Sequence, residues 1–309
     1  MKKVRISITA IILLVTIFNL VPVTYGGLFN STTKIVSNNV KENNYNDAPM
    51  EPTIDVDEDS NTMIDEPEVI NEVNETPELE TISTSDSNKK VFLTFDDGPT
   101  GLTPKVLDIL RDNDINATFF TIGKLIEQYP EVVLRTYGEG NMVLPHSYTH
   151  DFAMYSTFET FYGDFYMAEE AYRKVLGFDS PPYFRFPGGS SNHSSFKYGG
   201  KQFMPLLTKD VKEKGYYYID WNVSAGDTTP DYKDTEKMLD NVLKDTKNKD
   251  FAVILFHDLE KNTKMLEILP VVIGTLKEQG YTFRTFRDIT EDEIDKMVEL
   301  KLANKTINR

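Results

Sequence analysis

The chain is 309 residues long, carries 49 acidic against 33 basic residues for a formal charge of -16, and contains no cysteine. That charge balance argues against a nucleic-acid partner. Without thiols the chain holds neither disulfides nor a thiolate metal centre, so any metal site must be built from histidine and carboxylate.

Residues 1–26 begin with Lys2, Lys3 and Arg5, continue as an apolar stretch over 6–23 and end in Thr24-Tyr25-Gly26. This is the pattern of a secretory signal peptide, and its length suits an uncleaved signal-anchor as well. Either predicts an extracytoplasmic protein, secreted or anchored to the outer face of the cell membrane. Residues 27–88 hold 15 acidic residues against Lys34 and Lys41 among Asn, Thr, Ser and Pro, which predicts a disordered, self-repelling acidic linker. Residues 89–309 remain as the candidate catalytic domain, enough for one sizeable core and expected to be a monomer.

From Val91 onward, short apolar runs alternate with longer segments of helical spacing. Strands are predicted over 91–97, 117–122, 142–146, 183–186, 216–221, 251–257 and 281–286, and helices over 104–113, 130–137, 158–176, 202–214, 234–247 and 264–279. Thr103-Pro104 and the glycines at 177, 215 and 280 supply starts and stops. About seven strand-helix repeats imply an α/β fold with a parallel sheet, doubly wound or closed into a barrel. In both architectures sites gather at the C-terminal edge of the strands.

The polar residues that interrupt the apolar runs fall at that edge. Asp96 and Asp97 end the first strand, His146 the third, Arg185 the fourth and His257 the sixth, while Asp227 follows the fifth. Successive strand residues point to opposite faces, so the adjacent acids take different tasks unless the strand bends. One acid holding a metal while the other handles protons is a catalytic division. His146 and His150 are spaced i, i+4 and share a face if the segment turns helically. Two histidines and a carboxylate make an open three-ligand site, for which Zn2+ is the default ion and Co2+, Ni2+ or Mn2+ are alternatives. The same ligand set would serve a non-haem iron oxygenase, a reading that leaves Asp96, Arg185, Asp227 and His257 without a task.

Thr94-Phe95-Asp96-Asp97-Gly98-Pro99, His146-Ser147-Tyr148-Thr149-His150, Arg185-Phe186-Pro187-Gly188-Gly189, the Asp227 region and Leu255-Phe256-His257 together resemble the five ordered motifs of the NodB-type polysaccharide deacetylases, carbohydrate esterase family 4, over about residues 91–286. The resemblance implies a distorted (β/α) barrel of the NodB-homology type. It further implies metal ligands Asp97, His146 and His150, with Asp96 as general base on the attacking water and Arg185 orienting it. His257 would be the general acid, held by Asp227; the Gly188 amide would stabilise the oxyanion, and Leu255 would line the acetyl pocket.

The expected activity is removal of N-acetyl groups from a surface polysaccharide, first of all N-acetylglucosamine of peptidoglycan. Chitin-like or poly-N-acetylglucosamine polymers and acetyl xylan are alternative substrates, and a cell-wall-binding protein with a degenerate site is the non-enzymatic alternative. Three positions depart from the family pattern: Thr228 stands where many relatives carry a groove-walling Trp, Ser224 replaces a nearby acid, and Gly188 replaces a larger side chain. Trp221, Tyr148 and Tyr155 are candidates to replace the wall. His193 reads as an exposed loop residue, and the stripe Phe158, Phe161, Tyr162, Phe165, Tyr166 and Tyr172 reads as core rather than a sugar platform.

Overall fold

In the chain's computed structural model, residues 88–309 are described; the expected signal segment over 1–26 and all but the last residue of the expected linker lie outside them. The element that organises the rest is β1 (Lys89–Asp96), in which every residue from Val91 onward is buried. Such a strand needs neighbours on both edges and cover on both faces. Along one edge runs β7 (Phe251–His257), in register from Lys90↔Phe251 to Asp96↔His257. The other edge is shared. β8 (Tyr281–Phe283) pairs with its first half and β2 (Thr118–Thr121) with its second.

Beyond them, β3 (Met142–Pro145) pairs with β2 and β6 (Val223–Ser224) with β7, all parallel. A separate parallel ladder joins β4 (Tyr183–Phe184) to β5 (Tyr217–Tyr218). It lies beside β3, where Arg185 N donates to Pro145 O at 3.2 Å. The sheet is therefore the expected parallel one, wrapped into a barrel whose ladder is broken between β3 and β4 and between β5 and β6.

Strand alternation sorts the side chains of β1 and β7. Val91, Leu93, Phe95, Ala252, Ile254 and Phe256 face outward into one apolar cluster. There they meet α1 (Thr103–Asp112), α6 (Thr235–Thr246) and α7 (Thr263–Glu278) through residues such as Val106, Met238 and Leu269. Phe92 and Val253 face inward with Phe120, Leu144 and Phe286. The same period of two sends Thr94, Asp96, Leu255 and His257 inward, which is how two apolar strands deliver an acid and an imidazole to one end of the barrel.

The aromatic stripe on α4 (Phe158–Leu176) is core in part: Phe158 and Tyr162 are half-buried and Tyr166 is exposed. Phe161, Phe165 and Tyr172 are buried, the first two against Phe184, Phe186 and α5 (Phe203–Glu213). α4 spans the predicted residues because Thr157 makes a capping box with Thr160 and Gly177 takes the left-handed conformation at its end. Between β2 and β3 stand α2 (Gly123–Gln128) and α3 (Pro130–Gly138), of which only the second was expected. β6 and the final helix α8 (Glu291–Glu299) are also additional to the predicted elements.

Candidate active site

At the C-terminal end of β1 the chain bends. Asp96 is the last strand residue and Asp97 has φ 74°, which swings its carboxylate out of the strand's alternation and lets both acids face one cleft. The turn is braced from β7's side. Asp258 N donates to Asp96 O at 2.7 Å, and the buried Asp258 carboxylate accepts from Thr100 Oγ1 at 2.9 Å and Thr103 Oγ1 at 2.5 Å. Burial pushes the Asp258 carboxyl up to about 6 despite those two donors. Gly98 is required here, since a Cβ would lie 2.4 Å from Asp258 Oδ2.

His146 and His150 come together by a route other than the expected helical turn. The segment is a tight loop in which Ser147 (φ 84°) and His150 (φ 58°) are left-handed. From α4, Asp164 holds the loop, accepting from Tyr148 N at 2.7 Å, Thr149 N at 3.1 Å and Thr149 Oγ1 at 2.5 Å. Ser147 Oγ accepts from His150 N at 3.0 Å. The two imidazole centroids end 5.3 Å apart.

Asp97, His146 and His150 offer ligand atoms within 4.8 Å of one another. His146 Nδ1 lies 2.8 Å from the Arg185 carbonyl, which can only accept, so Nδ1 carries the proton and Nε2 presents a lone pair. That lone pair faces Asp97 Oδ1 at 3.4 Å, and His150 Nε2 faces the same oxygen at 3.1 Å. Asp97 Oδ1 is buried without a hydrogen-bond partner. A carboxylate oxygen and an imidazole lone pair confronting one another in a buried pocket are complementary to a cation between them, so these residues fit the divalent ion that the ligand set predicts.

Asp96 is constrained on one oxygen only. Oδ1 accepts from Arg185 Nη1 at 2.7 Å, while Oδ2 stands 3.7 Å from His146 Nε2. Arg185 is wholly buried and donates further to Thr94 Oγ1, Ile219 O and Asp220 O, with its guanidinium 4.1 Å over the Phe120 ring. It cannot meet substrate, so its influence passes through Asp96. On the neighbouring strand His257 N and Nδ1 both donate to Asp227, at 2.6 and 2.8 Å, leaving Nε2 for the cleft. Burial opposes charge on this ring, but the Asp227 hydrogen bond and charge prevail and raise its pKa above the ordinary histidine value. Asn262 Nδ2 donates to His257 O at 2.9 Å and approaches Asp227 Oδ2 at 3.4 Å.

The remaining expected residues divide. Leu255 is buried on the inward face of β7, and Gly188 is exposed on the loop after Arg185 with φ 73°. Thr228 is exposed. Of the candidates for the missing wall, Trp221 is half-buried over the loop, where a Cβ on Gly189 would meet its ring at 2.9 Å, and Tyr148 is partly exposed with its hydroxyl on Glu127. Tyr155 is excluded as a wall, being wholly buried among Phe152, Phe161, Phe186 and Phe203. His193 is exposed and stacks on Phe196. Asp164, Asp220, Asp258 and Asn262 brace the site and were not singled out by the sequence, because each acts through hydrogen bonds to distant residues and leaves no local pattern.

Comparison with known proteins gives the chain's family and fold relatives. The family described as "Polysaccharide deacetylase" matches residues 83–202. A peptidoglycan-N-acetylglucosamine deacetylase of Bacillus cereus is 30% identical over 206 residues, 66% of this chain and 89% of that protein. The peptidoglycan-N-acetylmuramic acid deacetylase PdaA of Bacillus subtilis is 29% identical over 203 residues, 65% of this chain and 71% of that protein. Among solved structures, the catalytic domain of a peptidoglycan N-acetylglucosamine deacetylase from Eubacterium rectale superposes with a TM-score of 0.60 at 32% identity, covering 66% of this chain and 89% of that one.

Proposed function

The chain belongs to the polysaccharide deacetylases, the NodB-type carbohydrate esterase family 4, and from that premise we propose that it hydrolyses the N-acetyl groups of N-acetylglucosamine residues in peptidoglycan. The observation that carries the mechanism is the register pair Asp96↔His257, which sets a carboxylate and an imidazole side by side next to the Asp97, His146 and His150 cluster.

A divalent ion held by Asp97, His146 and His150, zinc by ligand preference, would acidify water and polarise the acetyl carbonyl. The chain's own residues do the rest. Asp96 Oδ2 takes the proton of the attacking water, while Arg185 on Oδ1 fixes the carboxylate's orientation. The Gly188 N–H donates to the carbonyl oxygen as it gains negative charge, an interaction stronger in the transition state than in the ground state. His257 Nε2 delivers a proton to the departing nitrogen, without which an amine leaves poorly, and Asp227 keeps that ring protonated and aimed. Leu255 borders the acetyl methyl. In this reading residues 89–309 carry the activity, and the leader and acidic linker read from the sequence bring them to the wall outside the membrane.

Purified protein incubated with N-acetylated chitooligosaccharides and with muropeptides, with and without chelator, tests the proposal by mass spectrometry. Chelator-sensitive loss of acetyl from glucosamine residues is expected. Loss only from muramic acid residues would move the assignment to that sugar, and no loss from any substrate would contradict deacetylation.

A further inference from the structure

The loop carrying Gly188 contains two successive left-handed glycines, Gly188 (φ 73°) and Gly189 (φ 77°). Glycine visits both signs of φ, so the peptide between Pro187 and Gly188 is free, on steric grounds, to turn over without moving its neighbours. Its orientation matters. In a planar trans peptide the C=O and N–H point opposite ways, and a turned peptide would aim the Pro187 carbonyl, not the Gly188 N–H, at the substrate.

Everything around this unit is fastened. Gly189 N donates to Phe186 O at 2.7 Å, and beyond it Ser190 N and Oγ donate to the buried Asp220 carboxylate at 2.9 and 2.6 Å. Asp220 is itself paired with Lys305 Nζ at 2.7 Å. Among the described residues the Pro187 carbonyl has one partner, the Tyr155 hydroxyl, which donates to it at 2.9 Å from a wholly buried position. Burial pushes that phenol well above its ordinary pKa, so it remains a donor, and four aromatic rings fix its direction. On the other side of the same peptide, Gly188 is exposed, and its N–H has no hydrogen-bond partner among the described residues. A Cβ added at Gly188 would lie 3.2 Å from the ring of Phe152, which meets His150 edge-on at 5.9 Å.

We propose that Tyr155 is a positioning residue that locks the Pro187–Gly188 peptide with its N–H toward the cleft, which rests on the reading of that N–H as the oxyanion donor. The buried phenol holds the carbonyl end so that the amide end is presented before substrate arrives, and stabilising the new charge then requires no reorganisation.

The test is Tyr155→Phe, which removes one oxygen and keeps the ring, assayed on an N-acetylated chitooligosaccharide together with the 15N order parameter of the Gly188 amide. Removing an oxyanion donor outright costs about a hundredfold or more in kcat, and loosening one is expected to cost about tenfold. The account predicts that loss in kcat with KM within about twofold, unchanged bound metal, and a Gly188 order parameter that falls from a rigid value near 0.85. Unchanged kcat in a folded variant would overturn it. Should the variant not fold, the wild-type order parameter decides, because a mobile Gly188 amide in the intact protein contradicts the lock. Wild-type protein inactive on every N-acetylated polymer would instead overturn the functional reading, a failure distinct from that of the Tyr155 contact.

Discussion

Asp96 and His257 are register partners on the adjacent parallel strands β1 and β7, and each is held by a different buried group: Arg185 on Asp96, Asp227 on His257. Strands in this relation lie about 4.8 Å apart, so the base and acid assigned to the reaction are neighbours with separate supports. That separation allows each to be altered alone.

The His257 pKa is raised above its ordinary value of 6.5 by the Asp227 hydrogen bond and charge, against the opposing effect of burial. A raised pKa keeps the imidazolium populated to higher pH, so the alkaline limb of the kcat profile should lie above 6.5 and activity should fall as pH rises through it. Asp227→Asn removes the charge and leaves the burial, so the limb should move to lower pH. An alkaline limb that stays in place would show that another group supplies the proton.

His150→Ala removes one of three proposed metal ligands from a loop that Asp164 and Ser147 hold independently. Losing one ligand should cost several kcal/mol of metal affinity. Bound zinc by atomic absorption and turnover should both disappear while the far-ultraviolet circular dichroism stays unchanged. Stoichiometric metal with full activity would remove His150 from the site.

The parts of the molecule that could be read from the sequence are those with local signals. β1 and β7 were visible because four apolar residues around Thr94 in the one and six in the other run straight into a polar residue, and α4 because its stripe, its cap and Gly177 agree. β6, only Val223 and Ser224, has too few residues to show a period. α8 did carry a usable signal, the Thr290-Glu293 capping box. The geometry of His146 and His150 was misread because spacing cannot report the left-handed backbone at Ser147 and His150. Tyr155 looked like a groove wall because aromatic character does not say which way a ring points. Its task, like those of Asp220 and Asp258, becomes visible only when a partner more than 30 residues away is in place, as Pro187 is for Tyr155.

Glu293 ties α8 to the barrel. Its buried carboxylate accepts from Arg284 Nε at 2.8 Å, pairs with Lys90 Nζ at 3.0 Å and accepts from Thr290 N at 2.9 Å. Burial alone would raise its pKa, yet Arg284, Thr290 and Lys90 bring it down to about 2. A depressed carboxylate pKa contributes stability that is present above the ordinary value of 4.5 and lost as pH falls from there toward 2. Glu293→Gln should therefore lower urea stability by roughly 2 kcal/mol at pH 7, with a smaller difference near pH 3. An equal difference at both pH values would place the effect in packing rather than charge.

The division of labour between the two adjacent aspartates is tested most directly by Asp96→Asn, with metal content and kcat measured on the same preparation. The amide can still accept from Arg185, so the fold should persist, and Asp97, His146 and His150 are untouched. The account predicts full metal occupancy and a kcat on chitooligosaccharide lower by about two to four orders of magnitude, the scale of a lost general base. Loss of the metal from Asp96→Asn, or retention of both metal and wild-type kcat, would contradict it.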